Sequence, residues 1–109
     1  AIIENSVIGW RCRIERDVTI RNSSLMGSDD DETAAEAAQA TSAGLPPMGI
    51  GAGTLVDGAI IDKNCRIGRN VRIVNDTGVD TSDETPEAVI RDRIVCVQKG
   101  AILPDNWRM

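Results

Sequence analysis

The chain contains no histidine, no tyrosine and no phenylalanine among its 109 residues. Histidine is the side chain whose unperturbed pKa lies nearest neutrality, which makes it the usual proton acceptor in a site working at physiological pH. Without it, no cysteine has an imidazole partner, and no serine here sits in a nucleophile-elbow pattern. With only two tryptophans as aromatics, the interior must be filled by Ile, Val, Leu and Ala, which suits a narrow core. Apolar runs are short, nowhere near 18 residues, and no charged-then-apolar leader opens the chain, so neither a membrane span nor a signal peptide is expected. The net charge of −5 argues against a general nucleic-acid surface. Three cysteines, Cys12, Cys65 and Cys96, show neither metal-ligand nor disulfide spacing. They read as buried structural thiols in a reducing compartment, hence a cytoplasmic protein.

What the chain does have is a segment that occurs twice, offset by 53 positions. Residues 2–20 and 55–73 share Ile8/Ile61, Cys12/Cys65, Arg13/Arg66, Ile14/Ile67, Arg16/Arg69, Val18/Val71 and Ile20/Ile73 as identical pairs. A large aliphatic returns every six residues at Ile2, Ile8, Ile14, Ile20 and Met26, and again at Leu55, Ile61, Ile67 and Ile73. A six-residue period fits neither a helix nor an alternating strand. It is the signature of a hexapeptide-repeat parallel β-helix, an all-β solenoid in which each triangular coil takes three short strands. One aliphatic per strand then points inward, with Ile8, Ile14, Ile20, Ile61, Ile67 and Ile73 holding the column. The chain opens directly on a repeat, as expected of a piece of a longer protein.

Breaks in the period divide a single domain, 1–109, into coils at 1–26, 49–74 and 90–103 and insertions at 27–48 and 75–89. In the first insertion, Thr33 to Ala40 has helix-forming composition. Thr33 is placed as N-cap with Glu36 three residues on, and Gly44 and Pro46-Pro47 stop it. The second insertion reads as a polar loop with a short helical turn near 83–88. Strand character returns with Ile90, Cys96 and Ile102 six apart, and Pro104 to Met109 looks like a terminal tail.

Charge is unevenly placed. Residues 28–36 (SDDDETAAE) form an acidic loop, whereas the repeats carry Arg11, Arg13, Arg16 and Arg21, then Lys63, Arg66, Arg69 and Arg72. Equivalent positions stack in a solenoid, so Arg13 with Arg66 and Arg16 with Arg69 read either as solvated rows or as a basic patch for a small anion such as a phosphorylated metabolite. The contiguous carboxylates Asp29, Asp30, Asp31 and Glu32 read as solvated rather than as a divalent-cation site. Gly49-Ile50-Gly51-Ala52-Gly53-Thr54 lacks the last glycine of a dinucleotide fingerprint and the Lys-Ser/Thr ending of a P-loop, so it reads as a tight corner re-entering the solenoid. Hexapeptide repeats resemble a large family of acyl- and acetyltransferases, but those use an interfacial histidine as base, which this chain lacks.

A more specific resemblance lies in three segments in one order: Leu25-Met26-Gly27-Ser28-Asp29 with Glu32-Thr33, then Pro47-Met48-Gly49-Ile50-Gly51, then Ala59-Ile60-Ile61-Asp62-Lys63-Asn64-Cys65-Arg66-Ile67-Gly68. Together they closely resemble the C-terminal domain of ADP-glucose pyrophosphorylase (glucose-1-phosphate adenylyltransferase) of the plant and cyanobacterial pattern, with MGADYYET, PIGIG and IIDKNARIG and a short helical insertion between the first two. The resemblance also covers the late strand Ile94–Leu103, with Lys99 and Pro104. It implies a left-handed β-helix behind a Rossmann-like catalytic domain that makes ADP-glucose from ATP and glucose 1-phosphate. It further implies assembly into homo-oligomers, regulation by a phosphorylated metabolite, and no cofactor in this domain, the Mg2+ with ATP belonging to the parent's catalytic part. By itself the domain is expected to be inactive. In that family the lysine of IIDKN contacts 3-phosphoglycerate; here it is Lys63, with Arg66 beside it, and the first copy has Trp10 at the same place. Asp30-Asp31 replace the family's Tyr-Tyr pair and Ala52 replaces a frequent lysine, which leaves the effector's identity open, fructose 6-phosphate included. A β-helix tail of another sugar nucleotidyltransferase, such as a mannose-1-phosphate guanylyltransferase, is the remaining alternative; the insertion at 27–48 and the IIDKN segment argue against it.

Overall fold

A computed structural model describes residues 1–29, 32–75 and 78–108. The strands follow the chain in short steps. The first coil carries β1 (Ile2–Glu4) and β2 (Val7–Ile8), the second β3 (Thr19–Arg21) and β4 (Ser24–Leu25). The insertion brings α1 (Ala34–Ser42), after which β5 (Gly49–Ile50) completes the second coil. β6 (Leu55–Asp57), β7 (Ala59–Ile61) and β8 (Arg66–Ile67) make the third. The fourth holds β9 (Arg72–Val74), β10 (Ala88–Arg91), β11 (Ile94–Val97) and β12 (Ile102–Leu103). Three sheets result, in the orders β1-β3-β6-β9, β10-β11-β7-β4-β2 and β12-β8-β5. Every pairing within them is parallel except β10 with β11. This is a triangular parallel β-helix.

Register shows where the six-residue period fails. The lumenal columns are Ile3–Ile20–Val56–Ile73, Ile8–Leu25–Ile61–Val97 and Ile14–Ile50–Ile67–Leu103. Ile3 pairs with Ile20 and Val56 with Ile73, so a regular coil has 17 residues rather than 18. One corner of each triangle is a residue short. It is built on Asn5-Ser6, Asn22-Ser23 and Gly58-Ala59, with Asn5, Asn22 and Gly58 at positive φ. That corner shifts the inward residue from Ile2 to Ile3, from Met26 to Leu25 and from Leu55 to Val56. Ile2 and Met26 accordingly stand about half exposed, at 55% and 48%, while Leu25 and Val56 are buried. The other two corners also use left-handed residues, except where the second coil leaves for its insertion at Ser28. They place Arg11, Asn64 and Gly100 at one, and Asp17, Gly53, Asn70 and Asn106 at the other. Short polar residues and glycine tolerate that conformation best.

In the fourth coil the inward residues are Val95, Val97 and Leu103, all buried, and not the series Ile90, Cys96, Ile102. Cys96 is half-buried and Ile102 is exposed, although Ile90 is buried. The helical turn expected near 83–88 is absent there, and Ala88 already belongs to β10. β10 folds back on β11 through Asp92-Arg93, both at positive φ, as in the two-residue turns that match strand twist. Thr85 secures the entry, its hydroxyl donating to the Ala88 carbonyl at 2.8 Å and accepting from the Ala88 N–H at 3.1 Å. The tail is structural too: Trp107 packs against the core, and its carbonyl accepts from the Arg72 N–H at 2.9 Å.

Helix α1 forms as its composition predicts. The Thr33 hydroxyl accepts from the Glu36 N–H at 3.1 Å and the Glu36 carboxylate accepts from the Thr33 N–H at 3.2 Å, a complete capping box. Gly44, at φ +76°, ends it.

Candidate functional site

The two insertions leave the solenoid at different corners, and the first one folds back over the corner that follows β7. There Asp62-Lys63-Asn64-Cys65 turns the chain toward β8. The Asp62 carboxylate accepts from the Lys63 N–H at 2.7 Å, and Asn64 takes the left-handed position. Asn64 then reads the insertion. Its side-chain carbonyl accepts from the Asp29 N–H at 3.0 Å, and its amide donates to the Asp29 carboxylate at 3.2 Å. The other Asp29 oxygen lies 3.1 Å from Lys63 Nζ. The hydrogen bond from Lys63, then that from Asn64, hold the Asp29 carboxyl below its ordinary value. Both side chains remain accessible, at 43% for Lys63 and 47% for Asp29.

Arg66 has a different setting. Its Nη2 lies 2.6 Å from Glu32 Oε1, and its Nη1 donates to the Pro46 carbonyl at 3.1 Å. Glu32 spends its second oxygen on the Met48 N–H at 3.3 Å. Only 16% and 11% of these two side chains is exposed. Arg66 therefore ties the departing and returning ends of the insertion to the third coil, by an ion pair with the Glu32 carboxylate and a hydrogen bond to the Pro46 carbonyl. Asp29 and Glu32 are thus paired rather than solvated; Asp30 and Asp31 lie outside the described residues. Among the described residues no three His, Cys, Asp or Glu side chains converge as metal ligands.

The register Ile61–Val97 places Lys99 one coil beyond Lys63 at the same corner. The Lys63 carbonyl accepts from the Gly100 N–H at 2.9 Å, and Lys99 adds to the positive field on Asp29. Two lysines stacked at one corner therefore flank the accessible Asp29 carboxylate. In the sequence the IIDKN motif singles out Lys63, whereas Lys99 stands in the late strand segment with no motif of its own. The stacking interval of 36 residues between them was the available signal.

The expected basic rows turn out differently. Gly49 stands between Arg13 and Arg66 in the column, where a Cβ would run into the Arg13 carbonyl. Arg13 is paired with Glu15 and donates to the Met48 carbonyl at 3.4 Å. Arg16 and Arg69 do share one corner, separated by Ala52. The thiols are packing groups: Cys65 Sγ donates to the Gln98 carbonyl at 3.1 Å, and burial pushes both Cys12 and Cys65 up from their ordinary value. All three cysteines are free, Cys65 buried and Cys12 and Cys96 half-buried.

The family model described as the GLGC left-handed parallel beta-helix domain matches residues 1–107. That span includes the 17-residue coils, the insertion carrying α1 and the corner that bears Lys63. The chain therefore belongs to the GLGC left-handed parallel β-helix family, the C-terminal domain of ADP-glucose pyrophosphorylase.

Proposed function

We propose that this domain is the regulatory and assembly part of an enzyme that makes ADP-glucose from ATP and glucose 1-phosphate, and that Lys63 receives its anionic effector. The observation that carries the proposal is the accessible Lys63–Asp29 pair with Lys99 stacked beside it. A phosphate or carboxylate meeting Lys63 replaces one anion by another, so Lys63 stays paired in both states and the exchange costs little desolvation. Released Asp29 frees the start of the insertion, while the Glu32–Arg66 pair keeps its base in place. Arg66 is in this scheme a positioning residue and Lys63 the contact. An anion recognised here shifts activity only by binding two conformations of the enzyme unequally.

Catalysis belongs to an N-terminal domain outside this chain. The partners are that domain and sister subunits. Support comes from the first coil, where Ile3 is 45% exposed, Val7 68% and Trp10 81%. The cytoplasm suits three free thiols, and no helix among the described residues is long and apolar enough to cross a membrane.

The test is activation of the full enzyme by 3-phosphoglycerate and by fructose 6-phosphate. Lys63→Ala is expected to raise the half-maximal effector concentration about tenfold and leave unactivated turnover nearly unchanged. Superimposable activation curves for the two proteins would remove Lys63 from the effector site.

A further inference from the structure

A second feature lies at the opposite corner of the same sheet, where the chain passes from each third strand to the next coil. The returning limb of the insertion, Leu45-Pro46-Pro47, runs beside this corner and encloses a groove of about 990 Å3. Small-molecule sites typically occupy about 300–1,000 Å3. The facing wall carries Arg16, Ala52 and Arg69. Register makes these three equivalent positions on successive coils, since Ile14 pairs with Ile50 and Ile50 with Ile67. Two coil spacings separate the arginine backbones, about 10 Å, and alanine between them leaves a notch.

The charges in this groove are unequally engaged. Glu15 is taken by Arg13, and Asp105 accepts from the Arg69 backbone N–H at 2.8 Å. Thr41 donates its hydroxyl to the Ala37 carbonyl at 2.9 Å. Among the described residues Arg16 has only Asp17, 4.0 Å away, with both side chains more than four-fifths exposed. Such a contact contributes little. The Arg69 guanidinium makes no ion pair among the described residues. Two guanidinium forks therefore border the notch without a strong acceptor. Across from them stand Leu45 and two proline rings, an apolar wall whose backbone is already constrained and loses little freedom on binding.

We propose that this groove is a binding site for a phosphate monoester, its oxyanion taken between Arg16 and Arg69 and its organic body laid on Leu45, Pro46 and Pro47. Arginine suits the task because its planar fork offers two parallel donors to phosphate oxygens, where an ammonium offers a point charge. The wall distinguishes an organic phosphate from the free ion, which would fill the notch alone. The site is separate from Lys63, which is not in the groove's wall and lies at another corner.

The test is titration of the protein with phenyl phosphate at low salt, followed by amide chemical shifts and calorimetry. Saturable binding is expected, with shifts at Arg16, Ala52, Arg69 and Leu45. Inorganic phosphate should bind several-fold more weakly; equal affinity for the two would contradict the role of the wall. Arg16→Ala and Arg69→Ala are each expected to weaken phenyl phosphate about tenfold. Ala52→Glu, which puts a carboxylate in the notch, should abolish binding, and Lys63→Ala should leave it unchanged. All four positions are at the surface or half-buried, and an unchanged amide spectrum away from the site checks each fold. No saturable binding by ~10 mM, unaltered affinity in the two arginine variants, or shifts confined to Lys63 and Asn64 would overturn the proposal.

Discussion

Residues 2–20 and 55–73 are near copies in sequence and unlike in setting. Ile67 and Ile73 are wholly buried, whereas Ile8 and Ile14 are only partly so, and Ile20 is buried only because it belongs to the second coil. The first coil has a neighbour on one side; the third has one on both. Arg66 is held by Glu32, which the insertion supplies, while its counterpart Arg13 finds a carboxylate two residues away. Trp10 is 81% exposed where Lys63 meets Asp29. Burial and pairing in a stacked fold are properties of position along the stack, and identical residues acquire different roles from it. The two ends differ likewise. β10 and Trp107 close the last coil, whereas Ile2, Ile3 and Val7 stand exposed on the first.

The comparison breaks most sharply at the lumen. Ile67→Asp places a carboxylate where no partner exists, a cost comparable to the whole stability of a domain, about 5–15 kcal/mol. It is expected to leave no cooperative unfolding transition by circular dichroism. Ile14→Asp, at the open first coil, should fold with a lowered midpoint. A folded Ile67→Asp protein would refute the register. Truncations grade the same contrast: Ile67→Ala should cost about 2–5 kcal/mol in urea unfolding, and Ile14→Ala roughly half of that.

The arginines sharpen it next. Removing one partner of the part-buried pair by Arg66→Ala should cost about 2 kcal/mol or more, because Glu32 is left without its counter-ion. Arg13→Ala, half exposed, should cost under about 1 kcal/mol. Equal losses in denaturant unfolding would mean that the insertion does not load the third coil.

The smallest effect concerns acid. Asp29 titrates below its ordinary 3.8 in the folded chain because Lys63 and Asn64 favour the carboxylate. A lowered folded pKa means that the stabilisation is present above the unfolded value and is lost as pH falls through the folded one. The contact should therefore be intact at neutral pH and weaken only below about 3.8. Carboxyl carbon shifts of Asp29 report this directly, and Lys63→Ala should move the midpoint up.

Much of this was legible in the residues. The identical pairs gave the solenoid, and Ile8, Ile14, Ile20, Ile61, Ile67 and Ile73 all face inward as expected. The capping box of Thr33 and Glu36 is a local signal and appears as read. Ile2, Met26 and Leu55 were misplaced because a strict count of six passes over the short corner. The recurring Asn5, Asn22 and Gly58 at that corner, residues that tolerate the left-handed conformation, marked it. β10 was hidden because it stands at the edge of its sheet, paired with β11, and its turn, Asp92-Arg93, lacks the glycine that usually announces such a hairpin. The pairing of Asp29 with Lys63 and of Glu32 with Arg66 was out of reach, since it depends on where a 34-residue separation closes in space. No local pattern encodes that.

Substitution of Asp29 in the full enzyme tests most directly whether Lys63 is an effector contact held in reserve by its own carboxylate. Asp29→Asn keeps the amide-like shape and removes the competing charge. The expected result is a lower half-maximal effector concentration with unactivated turnover unchanged, opposite in direction to Lys63→Ala. An unchanged or raised half-maximal concentration would contradict the exchange of one anion for another at Lys63.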